Sequence, residues 1–377
     1  MRILITGGGT GGHVTPAIAV VTALRARSAA TGRPLNLCYL GSRDGLEGRV
    51  MRDLGVPYRA IATGKLRRYL SWRTPLDLAR IPLGVLQAAW HIARFRPAVI
   101  FSTGGYVCVP PILAGRLLGV PAITHEQTAR SGLANRIAAR FARVVAISVP
   151  ESATEFPPGR TVLTGNPLRA DLLGGDAVRG AQHWGFDAAL AVVYITGGAL
   201  GAHAINRAVA AALPRLLAVA QVVHQVGEGP DSSGADLRAA QAQAAADPTA
   251  QARYRPLAFV GPELADVYAL AWLVVGRAGA GTVNELAALG KPAVLIPLPG
   301  AASDEQTANA RRLVAAGAAV LLPQPDLTPA HLATLVSDLL ADPARRAAMC
   351  AAGPALAHPD AAARLVDLIL RVAERKS

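Results

Sequence analysis

The chain has 377 residues, a formal net charge of +13 and 52% hydrophobic residues, with aromatics at only 5%. That length exceeds one ordinary core and predicts two domains. A core built from Val, Leu, Ala and Ile favours helices on parallel sheets over an all-β sandwich. Cys38, Cys108 and Cys350, far apart and without C-x-x-C spacing, argue against a disulfide framework or a zinc site.

Residues 2–6 read as a short buried strand. Gly7-Gly8-Gly9-Thr10-Gly11-Gly12-His13 follows as a tight turn, and Pro16 sits where the first position of a helix tolerates proline, predicting a helix over 16–30. A strand, a glycine loop and a helix N-terminus present backbone N–H groups to a phosphate or diphosphate. His13 stands at the mouth of that loop as a candidate proton acceptor. Apolar runs at 35–40, 98–102, 122–125 and 144–148 predict parallel strands, with helices at 76–94 and 132–143. After Gly165-Asn166-Pro167 the pattern restarts with a strand at 192–196, a glycine loop at 197–202 and a helix to about 217. Further strands are expected at 221–226, 254–259, 272–275, 293–297 and 319–322, with a solvated helix at 234–247. The tail ends in a helix at 361–375, expected to return to the first domain. The fold class is therefore α/β, with two Rossmann-like parallel-sheet domains facing across a deep cleft. Residues 1–165 with about 359–377 form the first domain and 166–358 the second.

Gly7-x-Gly9-x-x-Gly12 formally satisfies the dinucleotide fingerprint, but the second strand ends Leu40-Gly41-Ser42-Arg43 and the ribose-binding carboxylate is missing at its expected place. That disfavours a dehydrogenase, and no G-K-[ST] follows any glycine run. The plainer alternative is that the glycines only permit close strand–helix packing. Gly276-Arg277-Ala278-Gly279-Ala280-Gly281-Thr282-Val283-Asn284-Glu285 is the densest cluster. Its loop offers amides to a diphosphate, and Glu285 is suited to bond a ribose 2′,3′-diol. Complementing the helix dipole is the alternative role for that carboxylate. Ser303-Asp304-Glu305-Gln306 opens a further helix, where sugar hydroxyls and simple N-capping are both served. No Asp-x-Asp pair occurs, so no metal and no cofactor is expected. Charge on a leaving diphosphate falls instead to helix N-termini, loop amides and arginine, with Arg169 placed for it.

Gly8-Gly9-Thr10-Gly11-Gly12-His13, Gly104-Gly105-Tyr106, His125-Glu126-Gln127, Gly165-Asn166-Pro167-x-Arg169, loop 197–202, Thr282 to Glu285 and Asp304-x-Gln306 occur in one order. In these the chain resembles the peptidoglycan N-acetylglucosaminyltransferases of glycosyltransferase family 28, two-domain enzymes of the GT-B fold. The resemblance implies inverting transfer of N-acetylglucosamine from UDP-GlcNAc to the 4-hydroxyl of undecaprenyl-diphospho-MurNAc-pentapeptide (lipid I). It implies that Thr10, Gly11, Gly12 and Thr128 approach the donor sugar. Arg169 and Ala199 would lie near the diphosphate, and Val260 at the uracil. Ala280, Gly281, Thr282, Val283, Asn284 and Glu285 would line the nucleotide, and Gln306 would contact the sugar. Gly104, Gly105 and Tyr106 would serve the acceptor. Two positions depart from the family pattern: Thr128 replaces an Asn, and Ala199 replaces a Ser. Both bear on affinity or donor preference more than on reaction type.

Inverting displacement needs a general base near neutral pKa. His13, at a helix N-terminus whose dipole disfavours imidazolium, is the first candidate, and Glu126 is the competing one. Lys65-Leu66-Arg67-Arg68-Tyr69-Leu70-Ser71-Trp72-Arg73 precedes an apolar helix with Ile81, Leu83, Leu86 and Trp90, a composition suited to an anionic leaflet. With neither a secretion signal nor an apolar run of about 18 residues, peripheral attachment to the cytoplasmic face of the cell membrane is expected. Membrane lipids and cell-wall synthesis proteins are then partners. Scattered basic residues without aromatic interleaving argue against nucleic acid. The alternatives are a GT-B enzyme with another acceptor, a UDP-GlcNAc 2-epimerase and a regulatory UDP-sugar binder.

Overall fold

The computed structural model describes residues 1–9, 11–64, 74–227, 233–300 and 304–374. The chain divides into two compact units, Met1–Arg169 with His358–Ser377, and Ala170–Ala357.

In the first unit, β1 (Arg2–Thr6), β2 (Asn36–Ser42), β3 (Tyr58–Ile61), β4 (Val99–Ser102), β5 (Ala122–Glu126), β6 (Val144–Ile147) and β7 (Thr161–Leu163) form one sheet in the order β3-β2-β1-β4-β5-β6-β7. Every pairing is parallel. The central strands are covered on both faces, which is why β1, β4 and β5 read as apolar runs rather than alternating ones. On one face Ile3 and Ile5 pack on Val20, Val21 and Leu24 of α1 (Gly11–Thr31) and on Leu365, Val366 and Ile369 of the C-terminal helix Ala361–Glu374. On the other, Leu4, Leu40 and Ile100 meet α3 (Thr74–Phe95) and α4 (Val109–Leu117) through Ala88, Ile92 and Ile112. The remaining helices are α2 (Leu46–Asp53) and α5 (Leu133–Phe141).

Several details differ from the sequence reading, the unexpected helices α2 and α4 among them. The first helix begins at Gly11, so Pro16 lies inside it rather than at its first position. Proline has no N–H to give the Gly12 carbonyl, so the opening turn is left looser than an unbroken helix. The edge strands β3 and β7 were not expected. Both are short, and their solvent-facing positions dilute the apolar signal.

The second unit repeats the plan. It contains α6 (Ala177–Trp184), β8 (Val192–Thr196), α7 (His203–Leu217), β9 (Gln221–Gln225), α8 (Ser233–Ala246), α9 (Pro248–Arg253), β10 (Tyr254–Leu257), α10 (Leu264–Leu270), β11 (Leu273–Gly276), α11 (Ala280–Ala288), β12 (Ala293–Leu295), α12 (Glu305–Ala315), β13 (Ala319–Leu321), α13 (Pro329–Ala341) and α14 (Pro343–Ala352). Its sheet is parallel in the order β10-β9-β8-β11-β12-β13. In each unit the strand order reverses beside the first strand, between β1 and β4 and between β8 and β11. The loops leaving those strands are where such sheets bind ligands. Among the described residues no helix is long and apolar enough to cross a membrane.

Candidate active site

In the first unit the loops leaving β1 and β4 are laced together. The Gly8 N–H donates to the Gly104 carbonyl at 3.2 Å, and the Tyr106 ring packs against Gly9. Gly105, at φ 80°, is approached so closely by the Gly8 carbonyl that no side chain fits there. His13, two residues into α1, is half-buried above this junction. Its Nδ1 lies 2.9 Å from the Thr103 carbonyl. A carbonyl only accepts, so Nδ1 carries the proton and Nε2 keeps its lone pair. Burial lowers the His13 pKa, while the Glu126 and Glu47 carboxylates and the Thr103 bond pull the other way. Burial, the largest of these influences, disfavours the imidazolium form.

The three residues at and just beyond the end of β5 fan outward to different duties. His125 is fully buried, and its Nε2 donates to the Gly165 carbonyl at 3.0 Å, anchoring the turn into Gly165-Asn166-Pro167. The Glu126 carboxylate accepts from the Thr128 N–H at 3.0 Å and from Asn135 Nδ2 at 2.8 Å. The Thr128 hydroxyl stands 2.7 Å from Glu126 Oε1 and 2.6 Å from the Arg130 carbonyl, so its single proton is used inside the loop. Asn135 Oδ1 in turn accepts from the Gly105 N–H at 3.1 Å. Glu126 thus braces the Gly104-Gly105-Tyr106 loop through Asn135. Gln127 Nε2 donates to the same Thr103 carbonyl as His13 does, at 2.9 Å.

In the second unit, β11 ends at Gly276 and α11 starts after Gly279, which supplies no side-chain cap. Its first amides, at Ala280, Gly281 and Thr282, therefore stay available to an anion. The Glu285 carboxylate accepts from the Tyr268 hydroxyl at 2.8 Å, and the Tyr268 ring packs edge-on against Tyr194 at 5.5 Å. Val283 and Val260 turn their side chains into the core, so any role they have toward a ligand is a backbone role. The Val260 N–H donates to buried Gln225 Oε1 at 2.9 Å, and Gln225 Nε2 donates to Thr196 Oγ1 at 3.2 Å. Thr196 Oγ1 also accepts from the Gly198 N–H at 3.0 Å. The loop carrying exposed Ala199 is thereby tied to the segment carrying Val260. Gln306 Oε1 accepts from the Leu298 N–H at 3.0 Å. Asp304 occupies the N-cap of α12 at φ 54° but makes no side-chain cap bond, so the capping alternative fails for that residue.

His13, Gly104, Gly105, Tyr106, Glu126 and Thr128 thus gather at one end of the first sheet, with Gly11 and Gly12 opening α1 beside them. Arg169 closes the first unit. Ala280 to Glu285, Gln306, Val260 and Ala199 lie on loops and helix starts of the second. Thr10, Ser303 and the basic segment 65–73 lie outside the described residues. Sequence reasoning gave no part to Asn135, Tyr268, Gln225 or Glu47. The partners of Asn135, Tyr268 and Gln225 come from other elements, and only the fold brings them in.

Two parallel-sheet units, each with a glycine-rich loop at its switch point, are the architecture of the GT-B fold. Residues 3–147 match the glycosyltransferase family 28 N-terminal domain and residues 192–365 the family 28 C-terminal domain. The chain belongs to glycosyltransferase family 28. It is 37% identical over 90% of its length, and 91% of the relative's, to the UDP-N-acetylglucosamine–N-acetylmuramyl-(pentapeptide) pyrophosphoryl-undecaprenol N-acetylglucosamine transferase 2 of Bacillus cereus. The crystal structure of Acinetobacter baumannii MurG is similar with a TM-score of 0.72 and 31% identity, covering 98% of this chain and 99% of that one. A UDP-GlcNAc 2-epimerase from Neisseria meningitidis superposes with a TM-score of 0.67 over 98% of this chain and 100% of that one, at 14% identity, a likeness of fold alone.

Proposed function

We propose that this enzyme transfers N-acetylglucosamine from UDP-GlcNAc to the MurNAc 4-hydroxyl of undecaprenyl-pyrophosphoryl-MurNAc-pentapeptide, releasing UDP with inversion at the anomeric carbon. The substrates follow the names of relatives that align over nine-tenths of the chain. The observation that carries the chemistry is His13, whose Nδ1 proton is committed to Thr103 so that Nε2 is left as a base.

In the reaction the acceptor oxygen attacks C1, its proton passes to His13 Nε2, and the bond from C1 to the diphosphate oxygen breaks. The charge left on UDP is met by the α11 amides, the 197–202 loop and Arg169. Glu285 holds the ribose diol, Ala280 to Asn284 line the nucleotide, Val260 flanks the uracil and Gln306 meets the donor sugar. Thr10, Gly11, Gly12 and Thr128 are further donor-sugar residues in this reading. Glu126, engaged by Thr128 and Asn135, is a brace in this scheme and the lesser candidate for the base. The first unit serves the acceptor through Gly104, Gly105 and Tyr106, and the second binds the donor.

Attachment to the cytoplasmic membrane face is part of the same reading. Leu83, Leu86 and Trp90 of α3 are 49%, 69% and 61% exposed, and the Arg94 guanidinium sits 5.9 Å over the Trp90 ring. Exposed apolar side chains among arginines suit an anionic lipid surface. Radiolabelled UDP-GlcNAc given with a short-chain lipid I analogue should yield a labelled lipid product and UDP. Epimerised UDP-sugar in acceptor-free reactions, or binding without turnover, would overturn the reading.

A further inference from the structure

Arg277 lies in the glycine-rich loop of the second unit, between Gly276 and Gly279, and its side chain turns toward the segment that follows β12. It is half-buried, and one terminal nitrogen, Nη1, donates to the Ile296 carbonyl at 3.0 Å and the Pro297 carbonyl at 3.2 Å. The other, Nη2, donates to Gln324 Oε1 at 2.7 Å. A second tie runs alongside: buried Asn309 of α12 donates from Nδ2 to the Ala278 carbonyl at 3.2 Å.

The Pro297 carbonyl that Arg277 holds and the Leu298 N–H that Gln306 accepts are the two ends of one peptide group. A charged donor on the oxygen polarises that group and strengthens the bond given by its nitrogen. With Oε1 turned to Leu298, the amide group of Gln306 points its two hydrogens the other way, as donors. We infer that Arg277 is a positioning residue for donor-sugar recognition, orienting the Pro297–Leu298 peptide so that Gln306 faces the sugar as a hydrogen-bond donor to a hydroxyl oxygen. This rests on the proposed function, which puts the donor sugar at Gln306.

The test is calorimetric titration of full-length enzyme with UDP and with UDP-GlcNAc, together with kcat and KM. Arg277→Ala should leave UDP affinity within about twofold and weaken the added contribution of the sugar by about tenfold. Arg277→Lys should fall between wild type and Arg277→Ala, because one ammonium cannot span three acceptors. The double variant Arg277→Ala/Gln306→Ala should be no worse than the weaker single variant. If Arg277→Ala is poorly folded, Gln324→Ala, which frees the other end of the clamp, should reproduce the sugar-specific loss. Equal weakening of UDP and UDP-GlcNAc, or additive effects of Arg277 and Gln306, would overturn the inference. A wild-type enzyme that binds UDP-GlcNAc no differently from UDP would instead bring down the placement of the sugar, and the role of Arg277 with it.

Discussion

Gln127 Nε2 and His13 Nδ1 stand 3.2 Å apart because both donate to one acceptor, the Thr103 carbonyl. The amide shares that acceptor with the imidazole without adding charge. Gln127→Glu would set a carboxylate beside Nδ1–H and favour imidazolium, moving the acid limb of the kcat/KM profile upward by about one pH unit. An unshifted limb would mean that the titrating base is not His13. His13→Ala should cost about 10²–10⁴-fold in turnover with little loss of UDP binding.

Glu285 is held by the Tyr268 hydroxyl from one side. If the carboxylate reads the ribose, Glu285→Gln should erase the preference for UDP over 2′-deoxy-UDP. Tyr268→Phe should weaken UDP by about threefold to tenfold through loss of that orienting bond. A preserved ribose preference in Glu285→Gln would assign the carboxylate to helix stability alone.

Diphosphate charge is assigned here to amides and arginine, and the sequence holds no Asp-x-Asp pair. Activity should therefore survive EDTA nearly unchanged. Activity abolished by the chelator and restored by a divalent ion would contradict the assignment.

Burial lowers two core histidines, His125 and His224, to about 4. Above pH 6.5 they are neutral whether the chain is folded or not, so they leave stability unaffected. Between pH 6.5 and about 4 the unfolded chain takes up protons that the native state refuses, and stability falls with pH. The full effect is on the order of 3 kcal/mol for each ring. Urea midpoints followed from pH 7.5 to 4.5 should decline, and the slope should be shallower in His224→Asn.

Vesicle flotation with anionic liposomes tests the membrane surface. Leu86→Glu with Trp90→Glu, or charge removal at Arg67, Arg68 and Arg73, should release the enzyme, the arginine set most clearly at low salt. Full retention by both sets would exclude this face.

What the sequence disclosed follows from where each signal resides. β8 is wholly buried, so its five residues are β-branched or aromatic and its bounds could be read directly. β7, three residues long and open to solvent, carries no such pattern. The start of α1 was misplaced because Gly11 and Gly12 are poor helix formers and Pro16 looks like a first-turn residue. The site divides in the same way. His13 and Glu285 stand out beside their glycine loops, but Gln127 reaches His13 across 114 positions of sequence. Arg277 sits in a glycine loop that sequence singles out, but its acceptors at Ile296, Pro297 and Gln324 come from later elements.

The final helix, Ala361–Glu374, lies against α1 and supplies Leu365, Val366 and Ile369 beneath β1. During synthesis on the ribosome the N-terminal unit therefore waits with one side of its sheet unsealed while residues 170–357 are made. The second unit holds all its strands in one uninterrupted stretch and is free to fold earlier. Nascent chains halted before residue 361 should leave the N-terminal half open to protease or chaperone while the later-made half is already resistant.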